Sequence, residues 1–211
     1  MLGMANELRK NARVFDFDDT IIRRETVTHL SGLVIGKLRA PHSPIVTSED
    51  IERLDLNHSP VSTLITGLRE KTSLRVHALR KVYPGIKKEF EKLTAEGTDI
   101  YGNTGRSSKK EWVDMTEDTL QRGGVIDYFK RIFYTPDGTK AIISKAHAID
   151  SLTRQYDQIE YYEDDPRTAL FIARLFPHVN VNLVQYGLTG LLASKTELSQ
   201  FPNLKRVAHV S

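Results

Sequence analysis

Cysteine is missing altogether from the 211 residues, which excludes disulfides, thiolate metal sites, iron–sulfur clusters and cysteine nucleophiles. No stretch approaches the roughly 18 uninterrupted apolar residues that a membrane span needs. The leader MLGMANELRKNAR has no apolar h-region and no small-residue cleavage site, so no secretory signal is expected and the cytoplasm is the expected compartment. The seven histidines are scattered without an HExxH or a close pair, which argues against a zinc site. Neither GxxxxGK[ST] nor GxGxxG occurs, so both nucleotide-binding fingerprints are absent. Neither sign of charge dominates: 30 Lys and Arg face 27 Asp and Glu, a net +3. The surplus sits in residues 21–83, with ten basic and six acidic side chains. A mildly basic segment suits an anionic substrate. No basic run carries the interleaved aromatics of a nucleic-acid groove, so nucleic acid is not the expected partner.

What is present suits one globular domain carrying an insertion, or a domain plus a small second one. Arg13–Phe17 is a short apolar run expected as a buried strand. Residues 24–82 differ from the rest, with helical-period apolar positions, breaks at Ala40–Pro44 and Asn57–Pro60, and a helix-start signal at Ser48–Asp50. From Tyr83 onward helices and strands alternate. Helices are expected over Pro84–Glu96, from beyond Arg106 to Gly123, over Lys145–Tyr156 and over Pro166–Phe176. Strands are expected at Thr98–Tyr101, Arg131–Thr135, Gln158–Tyr162 and Val179–Gln185, with Asn103–Arg106 as a turn. That alternation predicts an α/β fold, a doubly wound parallel sheet covered on both faces. The expected domains are therefore a core of residues 1–23 and 83–211, and a mostly helical insertion of residues 24–82.

In such sheets reactive groups gather beyond the carboxyl ends of the strands. The polar residues at those ends are Asp16 and Asp18, then Thr104, then Asp164 and Asp165. Asp16 and Asp18 are two apart, so an extended backbone aims both carboxylates to one side and Phe15 and Phe17 to the other. Paired carboxylates repel unless a cation joins them or one stays protonated. An oxygen-only set without Cys suits Mg²⁺ before softer metals. Asp164 and Asp165 can close that site, and a nearby lysine can balance the remaining charge.

Val14-Phe15-Asp16-Phe17-Asp18-Asp19-Thr20 resembles the first motif of the haloacid dehalogenase superfamily in its DxDxT phosphatase form. The resemblance runs in chain order over most of residues 13–190. Thr104 matches the second motif, Lys145, 19 residues before Asp164, the third, and Tyr161-Tyr162-Glu163-Asp164-Asp165 the fourth in its paired-Asp form. The resemblance implies that Asp16 attacks phosphorus and forms an aspartyl-phosphate. Asp18 would protonate the leaving oxygen and later deprotonate water. Mg²⁺ would be held by the Asp16 carboxylate, the Asp18 backbone carbonyl and Asp164 or Asp165. Thr104 and Lys145 would hold the phosphoryl oxygens. About 80 residues separate Thr20 from Thr104, too many for a short connection, and their position resembles a type-1 cap, which favours a small soluble phosphate monoester.

Alternatives stay open at several positions. Lys140 rivals Lys145, and Glu163 stands where the family often has Gly, which makes Asp164 the expected direct ligand. Asp19 reads as a loop or helix-start residue. Arg23, Arg24, Arg106 and Arg167 are candidates for substrate phosphate against ordinary ion pairing, Trp112 reads as core, and Tyr161 and Tyr162 read as part of a half-buried strand. Two other functions compete: a non-catalytic binding module on the same fold, and a nucleic-acid 3′-phosphatase suggested by Asp164-Asp165-Pro166-Arg167. A dehalogenase fits less well, because Asp18 supplies acid/base chemistry that phosphoryl transfer needs.

Overall fold

The computed structural model describes residues 10–23, 74, 77–184, 201–208 and 210. Two compact units divide the chain, Met1–Arg23 with Lys81–Ser211, and Arg24–Arg80. In the second unit the described residues are Leu74 and 77–80, of which Leu74, His77 and Ala78 are helical. The breaks and helix start expected between residues 40 and 60 lie outside the described residues, as does Arg24.

The first unit is built on a six-stranded sheet of β1 (Asn11–Phe15), β4 (Asp99–Ser107), β5 (Phe129–Thr135), β6 (Gln158–Glu163), β7 (Asn180–Val184) and β8 (Leu204–Val207). The order is β5-β4-β1-β6-β7-β8, and every pairing is parallel. Between the strands lie α1 (Ile86–Ala95), α2 (Lys110–Arg122), α3 (Ala141–Thr153) and α4 (Pro166–Leu175). The strands' alternation splits the core in two. Val14, Tyr101, Tyr161, Val181 and Leu183 pack with Ile149 and Leu152 of α3 and Ile172 of α4. Phe15, Phe17 and Ile100 pack with Ile86, Phe90 and Leu93 of α1 and Leu120 of α2. Helices on both faces follow from parallel connections. No helix among the described residues is long and apolar enough to cross a membrane.

Several features differ from the sequence expectation; the first strand covers Asn11–Phe15 where Arg13–Phe17 was expected. The strand expected at Thr98–Tyr101 continues to Ser107, because its far end pairs with β5 (Ser107 opposite Thr135) and the Thr135 hydroxyl donates to the Thr104 carbonyl at 3.1 Å. Asn103–Arg106 is therefore strand and not turn. The third helix begins at Ala141, four residues before Lys145, and Lys140 is its N-cap without a side-chain cap bond; the sequence offers no capping residue to mark it. β8 lies beyond the last expected strand. A two-stranded antiparallel ribbon, β2 (Ile22–Arg23) and β3 (Lys81–Val82), joins the two chain crossings that bound residues 24–80.

β1 and β4 lie on one side of a switch in chain order and β6 on the other. Such a switch opens a crevice beyond the carboxyl ends of the strands.

Candidate active site

β1 ends at Phe15 and delivers Asp16, whose backbone N–H donates to the Tyr162 carbonyl of β6 at 2.9 Å. Phe15 and Phe17 turn into the α1 and α2 side of the core, as the two-residue period requires. Gly102 of β4 makes room for this: a Cβ there would stand 2.5 Å from Cζ of Phe17. After Asp18 the chain reverses, and Asp19 takes a left-handed φ of 61°. It is a turn residue.

Continuing the β1–β6 register, Val14 opposite Tyr161 and Phe15 opposite Tyr162, brings Asp16 beside Glu163. Lys145, on the second turn of α3, lies between them. Its Nζ is 2.7 Å from Asp16 Oδ1 and 2.6 Å from Glu163 Oε2, and all three side chains are buried. The Tyr161 hydroxyl donates to the same Glu163 oxygen, while Glu163 Oε1 accepts the Asp165 backbone N–H at 3.2 Å. Asn103 fastens the helix carrying Lys145 by donating from Nδ2 to the Lys145 carbonyl at 3.1 Å.

Asp16, Glu163 and Asp164 can each offer one carboxylate oxygen within 4.8 Å of the others. Asp165 stands apart from that group. It caps α4, accepting the Arg167 backbone N–H at 3.2 Å and the Thr168 hydroxyl at 2.9 Å. The acidic group thus contains Glu163 and Asp164, where Asp164 and Asp165 were expected. Thr104 is buried, and its hydroxyl accepts the Arg106 N–H at 3.2 Å; it makes no hydrogen bond to Asp16 or Lys145. Asp18 is gripped by Arg106, with Nη2 2.7 Å from Oδ1 and Nε 3.1 Å from Oδ2. Arg167 is exposed and, among the described residues, reaches only its own cap residue, Asp165. Arg23 is exposed in β2. Trp112 is buried on α2, and Tyr162 stacks on Phe15.

Electrostatics follow from burial. Removal from water pushes the Asp16 carboxyl above the usual carboxylate range, opposed by Lys145 and reinforced by Asp18. Burial likewise pushes Glu163 up, to about 7, against the pull of Lys145 and with added repulsion from Asp16 and Asp165. Burial alone would lower Lys145, but Asp16 and Glu163 outweigh it and hold the ammonium charged. When all three carboxyls of the group are ionised, they and this one ammonium leave two net negative charges, the complement of a divalent cation. The oxygen-only donor set fits Mg²⁺.

One expectation arises here. A raised carboxyl binds its proton more tightly in the folded chain, so the folded state holds more protons than the unfolded one between pH 4.5 and about 7. That contribution is full below the lower value and is lost as pH rises through the upper one. EDTA-treated protein should therefore melt roughly 5 °C lower at pH 7.5 than at pH 5, equivalent to about 2 kcal/mol. Added Mg²⁺ should recover the difference. Differential scanning fluorimetry across that range checks both.

No protein-family model matches the chain, and no curated protein matches it in sequence. Solved structures do. A haloacid dehalogenase-like family hydrolase from Streptococcus pneumoniae superposes with a TM-score of 0.58 at 16% identity, covering 95% of this chain and 94% of that one. A protein from Clostridium acetobutylicum, titled a predicted phosphatase, gives 0.60 at 19%, covering 95% of each. Protein tyrosine kinase A from Mycobacterium tuberculosis gives 0.55 at 18%, covering 91% of this chain and 97% of that one. Likeness at such low identity speaks for architecture. With a parallel sheet whose switch point gathers Asp16, Lys145, Glu163 and Asp164, the chain has the haloacid dehalogenase-like fold.

Proposed function

We propose that the protein is a Mg²⁺-dependent phosphohydrolase that cleaves a small phosphate monoester through an aspartyl-phosphate on Asp16. The observation that carries this reading is the buried Asp16–Lys145–Glu163 triad with Asp164 at the carboxyl edge of the sheet.

Each residue has work in that reaction. An Asp16 oxygen attacks phosphorus, a P–O bond to the carboxylate forms, and the ester P–O bond breaks. Asp18 gives its proton to the departing oxygen. The Asp18 carboxylate then takes a proton from water as that water attacks phosphorus, which releases phosphate and frees Asp16. Lys145, held charged between two carboxylates, orients Asp16 and meets the phosphoryl oxygens, as Thr104 would. Asp16, Glu163, Asp164 and the Asp18 carbonyl would hold Mg²⁺, which supplies positive charge against the phosphoryl group. Residues 24–82 would serve as the cap that selects a small soluble substrate.

The test is a panel of phosphate monoesters, including 3′-phosphorylated oligonucleotides, assayed with Mg²⁺ and with EDTA. Hydrolysis of a small monoester is expected with Mg²⁺ and a loss of at least about 10²-fold on chelation. Full turnover in thoroughly chelated buffer would overturn the metal requirement, and preference for the oligonucleotides would make the protein an end-processing enzyme.

A further inference from the structure

We propose that Arg106 is the positioning residue of Asp18, fixing the carboxylate that transfers the proton at the leaving oxygen; this rests on the phosphohydrolase reading.

Asp18 sits in a poor place for precision. It follows the end of β1, forms an isolated bridge with Ile22, and precedes the left-handed Asp19. A proton-transfer group misplaced by about 1 Å can cost on the order of 10² in rate. Arg106 constrains that position directly. Its Nη2 and Nε engage both Asp18 oxygens, at 2.7 and 3.1 Å, a fork that sets the plane of the carboxylate as well as its position.

Arg106 is itself held from behind. The Thr116 hydroxyl donates to the Trp112 carbonyl at 2.6 Å, which turns its lone pairs outward. Nη1 of Arg106 donates to that oxygen at 3.0 Å. The Arg106 backbone is tied to Thr104 Oγ1 at 3.2 Å, in the part of β4 that pairs with Thr135. Exposure separates this pair from ordinary surface ion pairs, which contribute little. The Arg106 side chain is 2% exposed and that of Asp18 is 21% exposed. The cation forms the floor, and the carboxylate is the member that meets solvent or substrate. Two guanidinium nitrogens are engaged by Asp18 and the third by Thr116, which ties Arg106 to the site through Asp18.

Leaving-group dependence distinguishes this role from a structural one. Proton donation matters for an alkoxide and little for p-nitrophenolate, which departs without help. Arg106→Lys keeps the buried charge but cannot bridge both oxygens. With Mg²⁺, the single-turnover rate on an alkyl phosphate should fall roughly 10²-fold. The rate on p-nitrophenyl phosphate should fall less than about threefold, with KM within about twofold. Thr116→Val, nearly isosteric, should show the same pattern at a few-fold. Adding Arg106→Lys to Asp18→Asn should cost nothing further. Melting temperature monitors folding, and Thr116→Val decides the matter if Arg106→Lys does not fold. Active wild type with equal losses on both leaving groups, with raised KM at unchanged rate, or with additive losses in the double variant overturns the assignment alone. Wild type inactive on both esters overturns the phosphohydrolase reading, and the assignment with it.

Discussion

Asp16→Asn should reduce turnover by at least about 10⁴-fold while leaving the protein folded. The amide cannot attack phosphorus and is a poorer ligand for a hard cation than the carboxylate it replaces. Its volume is that of Asp, so the pocket between β1 and α3 is not emptied. The substitution also removes a charge that burial disfavours, while Lys145 keeps Glu163 as its partner at 2.6 Å. Stability should thus change by no more than about 1 kcal/mol, unlike the loss expected where a buried ion is left alone. A trapping experiment separates nucleophile from bystander. Beryllium fluoride with Mg²⁺ should raise the melting temperature of the wild type and leave Asp16→Asn unmoved. Near-normal turnover in the variant would move the nucleophile elsewhere and remove the basis for the proposed chemistry.

The fold was legible because its signals are local and repeated. Apolar runs of strand length alternate with helical periods from Tyr83 onward, and Gly97 and Gly124, with φ of 74° and 66°, lie just beyond two helices. The parity of Asp16 and Asp18 against Phe15 and Phe17 also needed nothing but an extended backbone. The fourth segment shows where such reasoning stops. In Tyr161-Tyr162-Glu163-Asp164-Asp165, the carboxylate facing Asp16 depends on the register between β1 and β6, and a slip of one residue reverses every side chain. With Val14 opposite Tyr161, Glu163 shares its face with Tyr161 and meets Lys145. Asp165 falls past the strand and caps α4. The period-two relation of Tyr161 and Glu163 was available, but the register was not. Arg106 was obscured differently. With Asn103–Arg106 read as a turn, there was no reason to aim it at Asp18, 88 residues away in sequence; only the pairing of β4 with β5 carries the strand that far.

Lys145→Met should be the most destabilising of the substitutions considered. It leaves Asp16 and Glu163 buried without the cation that sits 2.7 and 2.6 Å from them. Breaking a buried pair by removing one member costs about 3–5 kcal/mol, or roughly 10 °C for a chain of this size. Lys140 makes the control. It caps the same helix five residues earlier, and no ion pair engages it among the described residues, so Lys140→Ala should stay within about 0.5 kcal/mol of wild type. Activity should separate the two in the same order, since only Lys145 reaches the proposed nucleophile. The sign of the pH dependence sharpens the comparison. Without Lys145 the two carboxyls lose their main source of opposition to burial, so both should hold protons to still higher pH. The Lys145→Met deficit should then be largest above pH 7, where they must ionise unaided, and should shrink towards pH 5, where protonation removes the unpaired charge. Denaturant titrations of the three proteins at pH 5 and pH 7.5, in EDTA, measure this directly. A deficit independent of pH would mean that Lys145 contributes packing alone. A larger loss in Lys140→Ala would place the third-motif lysine at the cap of α3 and detach Lys145 from the chemistry.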